Sequence, residues 1–167
     1  MITPPHWLPP LVLLGDSQGN FEKYLDAVYA CFVRDFVHSQ TIFQGWSVLL
    51  KRHPMALERE ATFWHLISSG KEEADRLPDV RRCERISWPR AIIDHASDPL
   101  IKCWENQRRG ETRVLLWLET VKYLVILARR ERYYLLWTAY QTEREHTIRS
   151  LQREYERALK KLTPPQP

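Results

Sequence analysis

The sequence predicts an α+β fold, in which N-terminal helices pack on a small antiparallel β-sheet of four or five strands and a C-terminal helix closes the chain. An amphipathic helix pattern begins after Asn20, three β-type apolar runs follow one another in the last third, and a second amphipathic pattern covers Glu143–Leu162. The 167 residues, 44% of them hydrophobic, are enough for one domain with a core. We therefore expect a single α+β domain over residues 20–162.

The first nineteen residues predict an irregular, proline-rich arm. Four prolines in this segment disfavour a helix, namely Pro4, Pro5, Pro9 and Pro10. Asn20 is a suitable N-cap for the next element. Apolar side chains then recur at helical spacing to about His38, at Phe21, Leu25, Val28, Phe32 and Phe36. This pattern predicts a helix whose aromatic stripe lies in the core.

Two segments in the first half have the composition of β-strands. Thr41–Arg52 contains Ile42, Trp46 and Val48, and Ala61–Ser68 is a second short apolar run that ends at a serine and a glycine. We predict strands for both.

Short helices are predicted next. Lys71–Asp79 is charged and contains Pro78, which indicates a loop. Val80–Trp88 and Ala91–Ala96 then predict two helices on either side of Pro89, and a further short segment runs from Asp98 to Trp104.

The last third predicts three strands and a helix. The strands are Thr112–Glu119, Tyr123–Arg129 and Tyr133–Tyr140, so the sheet of catalytic type lies mainly within residues 104–140. Alternate residues of a strand point to one face, which places the hydroxyls of Thr138 and Tyr140 side by side. The helix covers Glu143–Leu162, and residues 163–167 form a frayed tail.

Charge and aromatic content permit contact with nucleic acid. The formal net charge is +4, and the chain has seven tryptophans and seven tyrosines. Arginine dominates the basic clusters, and its planar guanidinium suits phosphate oxygens. These clusters are Arg81, Arg82, Arg85 and Arg90, then Arg108 and Arg109, then Arg129, Arg130 and Arg132. An ordinary solvated charged surface is an equal alternative for each cluster.

Several classes of protein are disfavoured. The three cysteines have no CxxC spacing, which argues against a disulfide framework and favours the reducing cytoplasm. Neither a zinc-ligand spacing, nor a phosphate-binding glycine loop, nor a GxSxG or HExxH motif occurs. No run reaches the length of a membrane span or a signal peptide. We therefore expect a cytoplasmic protein with no metal, no cofactor and no membrane partner.

Four residues are candidates for chemistry on a phosphodiester. His65 can act as a general acid or base, or it can be a hydrogen-bonded, half-buried residue. Arg113 can stabilise a developing phosphorane charge, or form a salt bridge at a strand edge. Thr138 and Tyr140 can hold a phosphate or a 2′-hydroxyl, or simply fill a strand. His146, close in sequence to Tyr140, is the reserve acid or base.

A set of short motifs resembles a known superfamily. The motifs are Phe63–Leu66, Arg82–Ile86 with Trp88–Arg90, Trp104–Asn106, Glu111–Arg113 and Trp137–Tyr140. Together they resemble phage- and prophage-borne members of the barnase–EndoU–colicin–RelE superfamily, over roughly Thr62–Tyr155. The resemblance implies a small, metal-independent ribonuclease, in some cases a toxin, that cleaves RNA by attack of the ribose 2′-hydroxyl on the adjacent phosphate.

Carried over residue by residue, the resemblance nominates His65, Arg113, Thr138 and Tyr140 as catalytic. The predicted RNA-binding residues are Arg82, Arg85, Arg90, Trp104, Arg108 and Trp137, with a base stacked on Trp104 or Trp137. No second histidine belongs to the motif, so Tyr140 or His146 would complete the acid–base pair. The implied partners are an RNA substrate (tRNA, mRNA or rRNA) and a cognate antitoxin or immunity protein. A non-catalytic RNA- or protein-binding module and an accessory phage protein are the alternatives.

Overall fold

The computed structural model describes residues 3–70, 72 and 75–163, and it confirms the α+β class. Its main sheet has six strands in the order β1-β2-β8-β7-β6-β5, and β3 and β4 form a separate two-stranded ribbon. All neighbours in the main sheet are antiparallel except β2 and β8. The strands are β1 Ile42–Phe43, β2 Trp46–Leu49, β3 Ser68–Ser69, β4 Leu77–Pro78, β5 Ile101–Arg108, β6 Glu111–Leu118, β7 Tyr123–Arg129 and β8 Tyr134–Gln141.

The main sheet has more strands than the four or five predicted. The segment Thr41–Arg52 divides into β1 and β2 at a tight turn, where Gln44 and Gly45 both have positive φ. The segment after Asp98 is a strand, β5, which pairs with β6 from Ile101 to Arg108. The second half of β5 is polar and has low β propensity, so its pairing with the strand β6 determines its conformation.

Within the described residues, five α-helices pack around the sheet: α1 Phe21–Phe32, α2 Ala61–Ile67, α3 Val80–Glu84, α4 Trp88–Asp94 and α5 Glu145–Leu162. Asn20 caps α1 as predicted, since its side chain accepts a hydrogen bond from the Lys23 amide at 3.1 Å. A π-helical turn, Val33–Val37, extends α1 to the predicted end near His38.

Helices cover both faces of the main sheet, so both faces are buried. Val114 and Leu116 point into a core shared with α1, α2 and α4. Leu115 and Trp117, at alternate positions of the same strand, pack under α5 with Leu151. The near-continuous apolar run of β6 is the sequence signature of a strand covered on both faces.

The predicted strand Ala61–Ser68 is wrong, because residues 61–67 form the helix α2. Its aromatic and β-branched residues favour a strand by propensity. Its buried positions, however, are Thr62, Phe63, Leu66 and Ile67, a spacing that fits one face of a helix. Burial of that face overrides local propensity.

The packing of α2 makes a test of this helix straightforward. Phe63 is fully buried, and its ring lies 5.0 Å from Tyr29 and 5.4 Å from Phe32, between ring centroids. Phe63→Ala should lower the free energy of unfolding by about 3–5 kcal/mol, because it removes a large ring and leaves a cavity. Urea denaturation measures the change. Leu57→Ala is the control, since Leu57 is 82% exposed and should change stability little; equal effects would contradict the packing.

The N-terminal arm is irregular, with one 3₁₀ turn at Leu14–Ser17, yet side chains fix it to the domain. The Trp7 indole stacks on His95 at 4.4 Å and donates a hydrogen bond to Asp98 at 2.8 Å. The Trp88 indole donates to the Pro9 carbonyl at 3.0 Å. The arm therefore covers the end of α4. Of the predicted tail, only Thr163 lies within the described residues.

Candidate functional site

A β-bulge in β8 shapes the site. Leu127 pairs with Leu136 and the next residue back, Ile126, pairs with Thr138, so Trp137 is an extra residue in the strand. β2 pairs with β8 only at Tyr134 and Leu135. Beyond this short pairing, α2 packs against β8, and a cavity separates them at Trp137.

This cavity, the His65 groove, has a volume of about 480 Å³, within the range of small-molecule sites. Three basic side chains line it, those of Lys51, His65 and Arg76, and two indoles, those of Trp64 and Trp137. None of the described residues along its wall is acidic. The groove therefore combines positive charge with flat aromatic surfaces, which suits an anion attached to a planar group.

Arg76 contacts His65 directly inside the groove. Its Nη1 donates a hydrogen bond to Nδ1 of the imidazole. Arginine has no acceptor, so Nδ1 must accept, and a neutral imidazole then carries its hydrogen on Nε2. In this arrangement Nδ1 of His65 is a proton acceptor, and the guanidinium of Arg76 supplies positive charge beside it.

Trp137 brings Arg113 into the same cluster. The imidazole of His65 lies 6.4 Å from the Trp137 ring, between centroids, and Arg113 Cζ lies 4.9 Å from that ring. Arg113 projects from β6 and forms an ion pair with Glu111 at 3.5 Å. Its buried Nε has no hydrogen-bond partner among the described residues. Two of the four predicted catalytic residues therefore meet at one indole.

The other two predicted catalytic residues lie further along β8. Thr138 and Tyr140 share a sheet face, as predicted, opposite Ile126 and Leu124. Thr138 follows Trp137 but lines neither cavity, whereas Tyr140 lines a second cavity beyond the β3–β4 ribbon. The predicted quartet therefore does not converge on a single cavity.

The second cavity, the Arg82 pocket, has a volume of about 180 Å³ and is lined chiefly by arginines and tyrosines. Arg82 Cζ lies 5.8 Å from the Tyr140 ring centroid, and Arg85 also lines the wall. Burial raises the pKa of Tyr140, while Arg108 and Arg82 act to lower it. Burial also lowers the pKa of Arg82. Two predicted RNA-binding arginines are thus grouped here, away from His65.

Two of the predicted RNA-binding residues have structural positions instead. Arg90 forms an ion pair with Asp94 at 2.9 Å and donates to backbone and side-chain oxygens around Thr41, so its guanidinium is occupied. Trp104 is 5% exposed and packs against Trp117, so no base can stack on it. We therefore remove both from the set.

Two candidates lie on the surface outside both cavities. Arg108 ends β5 at the hairpin to β6 and is exposed. His146 lies in the first turn of α5 and is also exposed. The position of His146 does not support acid–base work at the His65 groove, whereas an RNA-binding role for Arg108 stays a prediction.

Sequence reasoning missed Lys51, Trp64 and Arg76. Arg76 falls in Lys71–Asp79, a segment predicted to be a loop, where Leu77–Pro78 forms β4 and where residues 71, 73 and 74 lie outside the described residues. No local signal marks Arg76, because its partner His65 is eleven residues away on another element. Only the tertiary fold brings them together.

No protein-family model, curated protein or solved structure matches this chain. Along the part of the chain that the structure describes, no helix has the length and apolar character needed to cross a membrane. The described His, Cys, Asp and Glu side chains form no group of three or more that could hold a metal ion. The site must therefore be interpreted from its own geometry.

Proposed function

We propose that the protein is a metal-independent endoribonuclease and that the His65 groove holds the scissile phosphate. One observation carries the proposal. The His65 imidazole accepts a hydrogen bond from Arg76 and lies beside the Trp137 indole, in a cavity whose described lining residues include no acid, and Arg113 lies over the same indole. This set supplies a proton acceptor, positive charge and a stacking surface.

In the proposed reaction, the ribose 2′-oxygen attacks the adjacent phosphorus and the bond from phosphorus to the 5′-oxygen breaks. His65 is the base: as the Arg76 guanidinium turns to the phosphate, the Nδ1 lone pair takes the proton of the 2′-hydroxyl, and a water molecule gives a proton to the departing 5′-oxygen. Arg76 and Lys51 stabilise the negative charge of the phosphorane, and a base stacks on Trp137. The products are a 2′,3′-cyclic phosphate and a 5′-hydroxyl, so the proposed reaction needs no oxidant and no metal.

The cellular setting of this proposal is the cytoplasm, where the enzyme acts as a toxin or as a factor in conflict between phage and host. RNA is the substrate, and a cognate antitoxin or immunity protein is the expected partner. The three cysteines, all free thiols in the structure, are compatible with a reducing compartment.

A second candidate is an RNA-binding module that does not cleave. Two observations favour it: Glu111 neutralises part of the Arg113 charge, and no carboxylate among the described lining residues can act as a base. On this alternative the groove holds a phosphate and a base without chemistry.

Incubation of the purified protein with mixed RNA in EDTA separates the two candidates. We expect cleavage that persists after metal removal and leaves cyclic-phosphate ends, because His65 and the arginines need no metal. Denaturing gels and end-group analysis read the products. Intact RNA in a salt-sensitive complex would favour the binding module; neither binding nor cleavage at low salt would refute both.

A further inference from the structure

The polar groups that line the Arg82 pocket differ in whether they have hydrogen-bond partners within the protein. Its two carboxylates both bond to Arg81. Asp79 accepts from the Arg81 amide at 2.9 Å, and the two oxygens of Glu143 accept from the Arg81 side chain at 2.7 and 2.8 Å. Glu143 is therefore paired with Arg81, whereas the charge of Asp79 still acts on Arg82 from a distance without a hydrogen bond to its guanidinium.

Arg85 is likewise satisfied by the protein. Its Nη1 donates to the Arg81 carbonyl at 2.8 Å and to Glu84 at 3.2 Å. With its amide oxygen facing the pocket, Gln141 accepts from Arg85 Nε and Nη2 at 3.2 and 3.3 Å. Arg85 also lies over the Trp88 ring at 5.1 Å, so it forms part of the pocket wall.

Arg82 differs from both neighbours. Among the described residues its guanidinium has no hydrogen-bond or ion-pair partner, only the Tyr140 ring at 5.8 Å. Tyr123, Tyr140 and Ser69 line the same pocket, and their hydroxyls have no hydrogen bond within the described part of the chain. Burial, which partly removes the cation from water, lowers the pKa of Arg82. A cation and three hydroxyl-bearing side chains thus line a small cavity, and none of the four forms a hydrogen bond with another described residue.

We propose that the Arg82 pocket is a second phosphate site, which holds a neighbouring phosphodiester of the RNA strand cut in the His65 groove. The proposal rests on the proposed function for the identity of the strand. The pocket volume of about 180 Å³ is below the range of small-molecule sites, so it suits a phosphate group whose sugar and base remain outside.

The relation between the two cavities supports one continuous strand. Ser68 and Pro78 line the groove, and the next residues, Ser69 and Asp79, line the pocket, so the narrow β3–β4 ribbon separates them. On β8, Trp137 lines the groove and Tyr140 the pocket, three positions apart, or about 10 Å along a strand. An extended single strand that follows β8 would meet both.

The direct test uses inorganic phosphate as the probe and the Nε–Hε NMR signals of the arginines as the readout. The Arg82 signal, assigned by its loss in Arg82→Ala, should shift on titration with phosphate. The Arg149 signal should not, because Arg149 is 74% exposed and paired with Glu145 on α5. An Arg82 signal that stays unchanged at saturating phosphate would overturn the proposal.

The second measurement is the affinity for a pentaribonucleotide without a terminal phosphate, in EDTA and in a His65→Ala background. Arg82→Ala should weaken binding about tenfold, and Tyr140→Phe, which keeps the ring, several-fold. Arg149→Ala should leave the affinity within a factor of two. A shift of the Arg82 signal with unchanged RNA affinity would mean an adventitious ion only, and dependence on an added 5′-terminal phosphate alone would also refute an internal site.

These outcomes are separate from the fate of the proposed function. If wild-type protein fails to cut RNA but Arg82→Ala still weakens RNA binding, catalysis is refuted and the second phosphate site stands. If RNA is cut and Arg82→Ala binds RNA normally, the phosphate site is refuted and catalysis stands.

Discussion

Replacement of His65 by alanine is expected to lower RNA cleavage by about 10²–10⁴-fold, the usual contribution of a positioned general base. Arg76 donates a hydrogen bond to Nδ1 of His65, so this nitrogen has the lone pair that takes the proton of the 2′-hydroxyl once the guanidinium turns to the phosphate. Initial rates on a fluorescent oligoribonucleotide in EDTA measure the loss. RNA affinity should change far less than the cleavage rate, because Lys51, Arg76 and the indoles remain.

The matched control is His146→Ala. His146 is exposed on the first turn of α5 and lines neither cavity, so its replacement should leave the cleavage rate unchanged. His65→Gln should fold like the wild type in thermal unfolding and still fail to cleave, which excludes loss of structure as the cause. A large loss in His146→Ala together with an active His65→Ala would identify His146 as the catalytic histidine and refute the proposed role of the His65 groove.

The sheet was predictable where local pattern and tertiary contact agree. The three C-terminal strands were placed nearly correctly, since apolar runs between turn residues allow few alternatives. Aromatic and β-branched residues predict a strand over Ala61–Ser68, yet the buried positions of this segment follow a helical spacing. β5 was missed for the opposite reason: its polar half is a strand only because it pairs with β6.

The sequence indicates some residues of the site but not their arrangement. It singles out His65 and Arg113, which do not touch each other, and each lies beside the Trp137 ring. The position of Trp137 beside both residues depends on a single-residue bulge, and the sequence of β8 has no glycine to mark that bulge. Thr138 and Tyr140 share a face of β8. The β3–β4 ribbon, however, separates the cavity that Trp137 lines from the cavity that Tyr140 lines, and long-range packing places this ribbon.

The same bulge leads to the second large expected effect, in Trp137→Ala. Stacking of a base on an aromatic side chain contributes about 1–3 kcal/mol, so removal of the indole should weaken RNA binding by roughly 5- to 150-fold. Fluorescence anisotropy with a labelled oligoribonucleotide, in EDTA and in a His65→Ala background, measures the affinity without cleavage. Trp137→Phe keeps a flat ring and should recover part of the loss.

Trp46→Ala is the control for this effect, because Trp46 is 48% exposed on β2 and does not line the His65 groove. Its removal deletes an equal number of atoms and should leave RNA affinity unchanged. If both variants lose affinity equally, aromatic content alone explains binding and the groove has no special role. If Trp137→Ala binds RNA as tightly as its parent, no base stacks at the bulge. The Trp137 indole then has a structural role beside His65 and Arg113 and does not recognise RNA.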